Sequence, residues 1–188
     1  WNRDRDIRSI GSAAKCGQTS PGIAHMWHMS GHIYSELKRY SDAAWQQEAS
    51  ARVDHAHMIR DRVMPDQIHN YAHNNEWLVQ NLSYVGRFTE ALDLAKNMIE
   101  LPRLKDEGRS SYSLGRAKLF EILPQFEQWD TILSLAETPY LEPTEKQDEQ
   151  IKRLRLLGVA WFSKGDLKKG QEQVAALADA GYAVPPPP

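Results

Sequence analysis

The amino-acid sequence predicts an all-α fold, an α-solenoid built from consecutive antiparallel helical hairpins. Apolar residues recur at three- and four-residue spacing through most of the chain, and no convincing segment shows the β-branched alternation of a strand. Breaker residues cut this pattern into predicted helices of about 12 to 20 residues with short connections. The breaks are Pro21-Gly22, 38–41, 86–89, Pro102, Pro124, Pro143 and Gly165-Asp166.

About four hairpins follow one another in this prediction, at residues 21–57, 65–101, 109–137 and 144–181. Residues 1–17 carry an amphipathic pattern of their own, which indicates the last helix of a preceding repeat. A run of prolines cannot continue a helix, so residues 184–188 are expected to form an extended tail. We therefore expect one helical repeat domain over residues 1–183.

The composition argues against two classes of partner. The formal charge of −2, from 23 Lys and Arg against 25 Asp and Glu, gives no long-range attraction to nucleic acid or to anionic lipid. No stretch approaches the roughly 18 to 20 apolar residues needed to cross a bilayer, so no membrane insertion is expected. Cys16 is the only cysteine, so it has no internal disulfide partner and does not indicate a redox compartment.

The chain opens on Trp1 rather than Met, already inside an amphipathic pattern, which indicates a processed product or a piece of a longer protein. A signal peptide or a catalytic domain can lie outside it, and a periplasmic or exported location is compatible with this. The sequence contains no Gly-rich phosphate loop, no G-x-S-x-G and no CxxC. No catalytic residue is therefore predicted, and enzymatic activity is not expected of this segment.

Two predicted hairpins share a sequence signature on their first helix. Trp27-x2-Ser30-Gly31-x2-Tyr34 and Leu154-x2-Leu157-Gly158-x2-Trp161 place a large residue, a Gly and an aromatic residue at the same spacing. The middle hairpins have Val79 and Phe120 in place of the glycine. The pattern resembles the tetratricopeptide repeat, W-x2-L-G-x2-Y followed by small residues on the second helix. This resemblance implies degenerate repeats that stack into a right-handed superhelix with a concave groove.

A closer resemblance covers about residues 20 to 103. The segment His28-Met29-Ser30-Gly31-His32-Ile33-Tyr34, a downstream Asp54, and then Tyr71-Ala72-His73-Asn74 are similar to the signature of a bacterial group of tetratricopeptide-like proteins. That signature reads H-M-[PS]-x-H-I-[YF] followed by [YF]-x-H-N, and Ser30 stands where Pro is more usual. Some members are fused to redoxin-like or other catalytic modules. The resemblance therefore implies a helical repeat that belongs to a larger protein, and it supplies no activity.

All seven histidines lie between His25 and His73. His25, His28 and His32 are spaced three and four residues apart, and His69 and His73 are spaced four apart, so each group shares one helix face. Imidazoles at such spacing can ligate a transition metal, which makes these five residues candidate ligands of a metal or haem. Neither group encloses the Glu of the zinc-hydrolase motif HExxH.

The interleaved apolar residues Met26, Trp27, Met29 and Ile33 favour a second interpretation, in which the histidines are core residues. A core histidine usually forms hydrogen bonds through its ring nitrogens. The nearby polar residues that are candidate partners are Asp54, Asn70, Asn74, Asn75 and Glu76.

The predicted fold favours a protein–protein interaction or scaffold function, with a partner segment bound in the concave groove and no cofactor. Helical position on the first helices gives the candidate groove residues Lys38, Asn74, Asn81, Tyr84, Arg116 and Lys118. Two alternatives stay open. In the first, the chain is a metal- or haem-associated module of a redox assembly that uses the histidines. In the second, it is a self-assembling repeat whose groove or end receives another copy.

Overall fold

The structure is a computed structural model, and it describes residues 3–68, 70–103 and 110–182. Helices account for most of these residues, and no strand occurs among them, which confirms the all-α prediction. The helices are α1 (Arg3–Thr19), α2 (Ala24–Glu36), α3 (Tyr40–Asp61), α4 (Tyr71–Tyr84), α5 (Phe88–Glu100), α6 (Ser111–Gln125), α7 (Trp129–Leu135), α8 (Gln147–Ser163) and α9 (Leu167–Asp179). A short 3₁₀ turn, Pro65–Gln67, precedes α4. None of the helices in the described ranges is long and apolar enough to span a membrane.

The four hairpins α2–α3, α4–α5, α6–α7 and α8–α9 close with the same turn. In each, one residue adopts a left-handed conformation two positions before the second helix begins: Lys38, Gly86, Glu127 and Gly165, with φ between 52° and 80°. The amide of the next residue donates a hydrogen bond five residues back, as from Arg39 to Tyr34 and from Arg87 to Leu82, 2.9 and 3.0 Å. This is the Schellman arrangement that ends many helices.

Pro124 differs from its predicted role as a helix break. It lies inside the last turn of α6, and the helix ends at Gln125 before the turn at Glu127. Proline lacks the amide hydrogen that would bond four residues back, and near a helix end only little of the helix is left to disturb.

The chain divides into two compact units, residues 1–118 and 119–188. In the first, consecutive helices from α1 to α5 pack against each other; in the second, α7 packs on α8 and α8 on α9. The expected tail at 184–188 lies outside the described residues, and the single repeat domain stays a prediction.

Small residues allow close helix contacts at specific places. Gly31 of α2 lies against Gln47 of α3, whose side chain occupies the space that a Cβ would fill. A Cβ on Gly115 of α6 would lie 2.8 Å from the carbonyl oxygen of Ala95, so α6 approaches α5 closely at a glycine outside the repeat signature. A Cβ on Gly158, by contrast, would have its nearest neighbour at 3.4 Å, which is ordinary contact, so close approach does not require that glycine.

Candidate metal centre and adjoining cleft

Three histidines from two helices converge in the first unit. His28 and His32 lie on successive turns of α2, and His73 lies in the first turn of α4. One potential ligand atom from each ring lies within 4.8 Å of the other two. The ring centroids are 4.3 Å apart for His28 and His32, 4.9 Å for His28 and His73, and 6.0 Å for His32 and His73. His28 is 2% exposed, whereas the other two rings are half-buried.

Gln47 fixes the orientation of the buried ring. Its Nε2 donates to the backbone carbonyl of His28 at 3.2 Å, which places its Oε1 2.8 Å from Nδ1 of the same histidine. An amide oxygen only accepts, so Nδ1 of His28 carries the proton and Nε2 presents a lone pair. Gly31 permits this contact because a side chain there would collide with the Gln47 amide.

The lone pair of His28 faces the next ring. Nε2 of His32 lies 2.7 Å from Nε2 of His28, so His32 donates this hydrogen bond. The edge of His32 also contacts the indole of Trp77, with ring centroids 4.3 Å apart. The aromatic contact and the hydrogen bond together restrict the rotation of the His32 ring.

A carboxylate holds the third ring. Nδ1 of His73 lies 3.1 Å from Oε2 of Glu76, three residues later on α4. A histidine that donates one ring nitrogen to a carboxylate is held in a fixed orientation, an arrangement common around protein-bound metals.

Burial and mutual proximity keep two of the rings neutral. Burial, followed by the neighbouring charge of His32, lowers the pKa of His28 from 6.5 to about 4. Burial, followed by the charge of His73, lowers the pKa of His32 to about 4 as well. Both imidazoles are therefore neutral at pH 7, which is the form that ligates metals.

One further predicted ligand, His25, does not join this group. His25 is exposed; its ring stacks 5.9 Å from that of His28, and its Nδ1 accepts a 3.4 Å hydrogen bond from Asn70. His69 lies outside the described residues. Of the five expected hydrogen-bond partners, Glu76 bonds a histidine of the cluster and Asn70 bonds His25.

Two of the remaining polar residues form a separate buried contact. Nδ2 of Asn74 donates to Oδ2 of Asp54 at 2.6 Å, and both residues are buried. Nδ2 of Asn75 donates to the backbone carbonyl of Tyr71 at 2.9 Å. These three residues therefore bond elsewhere, and the partners of the cluster are Glu76, which was among the five predicted residues, and Gln47, which was not.

A cleft of about 490 Å³ adjoins the histidines. His73, Glu76 and Trp77 form part of its wall, and the predicted groove residues Lys38, Tyr84 and Lys118 surround it as well. The other residues around it are Ser35, Glu36, Tyr40 and Gln80. The predicted groove residues thus come from three successive hairpins, at the α2–α3 turn, on α4 and on α6.

The structure buries the other three predicted groove residues, and it leaves Lys118 at the cleft only 7% exposed. Asn74 and Asn81 are 0% exposed and Arg116 is 1% exposed. Asn81 donates to the carbonyl of Trp77 at 2.8 Å, and the Arg116 guanidinium lies 5.6 Å from the ring centre of Tyr112. These side chains are therefore packed between helices. The prediction was wrong because the polar character of a helical residue does not by itself establish that it faces solvent.

Gln47 was missed by sequence reasoning, and little in the sequence identifies it. It lies in α3, nineteen residues after His28, in no recognisable motif. Its only sequence signal is Gly31, which indicates a close neighbour without naming it.

Comparison of the chain with protein-family models, with curated proteins and with solved structures gave no match. The interpretation of the site therefore depends on its own geometry and chemistry.

Proposed function

We propose that the first unit is a tetratricopeptide-like interaction module that binds an extended segment of a partner protein in the cleft beside the histidines. The observation that carries this proposal is the position of Lys38, Tyr84 and Lys118. They come from three successive hairpins and surround one cleft. Helical repeat proteins bind partners in this way, with side chains from several repeats around a shared groove.

The repeated turn supports the assignment to a helical repeat. Four hairpins close with a left-handed residue two positions before Tyr40, Phe88, Trp129 or Leu167, the residues that open the second helices. Equivalent geometry at equivalent positions is what degenerate copies of one structural unit would retain.

The walls of the cleft favour a particular kind of segment. Tyr40 and Tyr84 present adjacent rings, 4.5 Å apart, and Trp77 provides a third aromatic surface. Lys38 is exposed and is the accessible ammonium group; Lys118 is 7% exposed, and its Nζ donates to Oε1 of Gln80 at 2.6 Å. Aromatic surfaces bind apolar anchors, while ammonium groups bind carboxylates. We therefore expect an extended peptide with one aromatic or large aliphatic residue and one nearby acidic residue.

A peptide library with that pattern, alongside composition-matched scrambled peptides, tests the proposal by fluorescence polarisation. We expect Tyr84→Ala and Lys118→Gln each to weaken the selected peptide by at least about tenfold, since both remove contacts in the cleft. Trp45→Ala is the matched control, because Trp45 is an exposed aromatic residue of α3 away from this cleft. Equal affinity in all three variants would contradict the proposal.

Light scattering against concentration separates partner binding from self-assembly. If another copy occupies the cleft, the mass should rise with concentration, and Tyr84→Ala should abolish the rise. A constant monomeric mass together with peptide binding supports the partner-segment proposal.

A further inference from the structure

The three converging histidines have the composition of a metal site. Each of His28 and His73 directs one ring nitrogen to an oxygen acceptor, Gln47 Oε1 or Glu76 Oε2, at 2.8 and 3.1 Å. A structural histidine needs such partners for folding, but it does not need two further imidazoles at its other nitrogen. Here one potential ligand atom of each ring gathers within 4.8 Å.

We propose that His28, His32 and His73 bind one divalent transition-metal ion of the zinc class, with Gln47 and Glu76 as positioning residues. Zinc lies about 2.0 to 2.1 Å from each histidine nitrogen, and tetrahedral ligands at that distance are about 3.3 Å from one another. The 2.7 Å between Nε2 of His28 and Nε2 of His32 would open by roughly 0.6 Å, which half-buried His32 can accommodate by side-chain rotation.

The hydrogen bonds assign the ligand atoms. Nε2 of His28 already presents its lone pair, since Gln47 fixes the proton on Nδ1. Glu76 accepts from Nδ1 of His73, which makes Nε2 the ligand atom there. Nε2 of His32 donates to His28, so its proton moves to Nδ1 when an ion takes the place of that hydrogen bond. The ring stays neutral in this exchange of tautomers.

The donor set selects the class of ion. Imidazole nitrogen suits zinc, copper, nickel and related ions, whereas magnesium and calcium prefer oxygen ligands. Three protein ligands leave a fourth position for water or another ligand. A haem iron takes at most two protein ligands, one on each face, so a set of three converging imidazoles matches a single metal ion better than haem.

Zinc binding to the untagged, chelator-treated chain tests this inference, by competition with a chromophoric chelator. We expect one Zn²⁺ per chain and a raised melting temperature. Cobalt(II) should bind at the same ratio and give the intense visible absorption of a tetrahedral nitrogen site.

Three variants and one control identify the ligands. His32→Gln and His73→Gln should each lower the Zn²⁺ affinity at least a hundredfold, since each removes a direct ligand. Glu76→Gln should lower it by about 10- to 100-fold, as expected for a residue that orients a ligand. His55→Gln, an exposed histidine of α3 outside the cluster, should bind Zn²⁺ like the unmodified chain.

Circular dichroism establishes that each variant is folded. Because His32 and His73 are half-buried, their variants carry the test in place of variants of the buried His28. The inference is overturned if the unmodified chain does not bind Zn²⁺ at one per chain. It is also overturned if folded His32→Gln binds as tightly as the His55→Gln control. Neither result bears on whether peptides bind in the cleft, so the two proposals fail independently.

Discussion

At the scale of single residues, the first unit combines well-paired and poorly paired polar groups. Gln47 uses both ends of its amide on His28. Asn74 uses only one end, since its Nδ2 donates to Asp54 while its buried Oδ1 has no hydrogen-bond partner among the described residues. A buried amide oxygen without a donor is destabilising, by about 1 to 3 kcal/mol. The contact between Asp54 and Asn74 is therefore a place where a single substitution should increase stability.

Asp54→Asn should raise the free energy of unfolding at pH 7 by on the order of 1 kcal/mol, because it removes a buried charge and its amide oxygen can still accept from Nδ2 of Asn74. Burial raises the pKa of Asp54 above its ordinary 3.8. The native state therefore favours the protonated carboxyl, and the stability this gives is present below pH 3.8 and lost as the pH rises through the raised value. The advantage of Asn should accordingly be larger at pH 7 than at pH 3.5.

Urea unfolding at the two pH values measures this difference. Asp93→Asn, at an exposed position of α5, is the control and should change stability little at either pH. A lower stability of Asp54→Asn at pH 7 would show that the carboxylate is needed where it lies.

At the scale of elements, two of the four hairpin turns have a residue other than glycine at the position with left-handed backbone conformation. Gly86 and Gly165 suit the left-handed conformation, because glycine has no Cβ to collide with the backbone. Lys38 and Glu127 adopt it with φ of 60° and 52°. For residues other than glycine this conformation costs about 1 to 2 kcal/mol. The second and fourth hairpins thus have the turn residue that the geometry prefers, and the first and third do not.

Replacements at two of these turns should have opposite signs. Glu127→Gly should raise the free energy of unfolding by about 1 kcal/mol, since it removes a side chain from a left-handed position. Gly86→Ala should lower it by a similar amount; nothing lies within 4 Å of the added Cβ, so the effect comes from the backbone alone. Urea unfolding of the two variants and the unmodified chain measures both changes, and equal signs would refute the explanation.

At the scale of the whole molecule, the chain consists of two compact units, and the histidines and their cleft belong to residues 1–118. α6 spans the division, with residues 111–118 in the first unit and 119–125 in the second. The proposed chemistry is therefore located in one unit, and a bound ligand should affect that unit first.

Hydrogen exchange with and without Zn²⁺ tests this localisation. Because the proposed ligands lie on α2 and α4, we expect slower amide exchange in these helices and in α3, which packs against both. The amides of α8 and α9, in the second unit, should exchange at unchanged rates. Protection spread equally over both units would point to a general effect of the ion on the chain.

Sequence reasoning predicted elements better than side-chain environments. The apolar period and the absence of β-branched alternation predicted an all-α chain, which the described residues confirm, since helix periodicity is a local property. Spacing also predicted that His28 and His32 share one helix face, and they lie on successive turns of α2. Asn74, Asn81 and Arg116 were misplaced because the rotation of a helix about its axis depends on packing with neighbours distant in sequence. Gln47 was missed for the same reason, since its role arises only when α3 lies beside α2.

The contact between Gln47 and His28 depends on the absence of a side chain at Gly31. Alanine at that position would have neither charge nor hydrogen-bonding atoms, yet its Cβ would displace the Gln47 amide that sits there. Without that acceptor, the His28 and His32 rings would be free to exchange donor and acceptor roles in the hydrogen bond between them, which moves the His28 proton between Nδ1 and Nε2. Gly31→Ala would thus change the tautomer equilibrium of His28, although it adds only a methyl group. The ¹⁵N chemical shifts of the two His28 ring nitrogens would then move toward a common average.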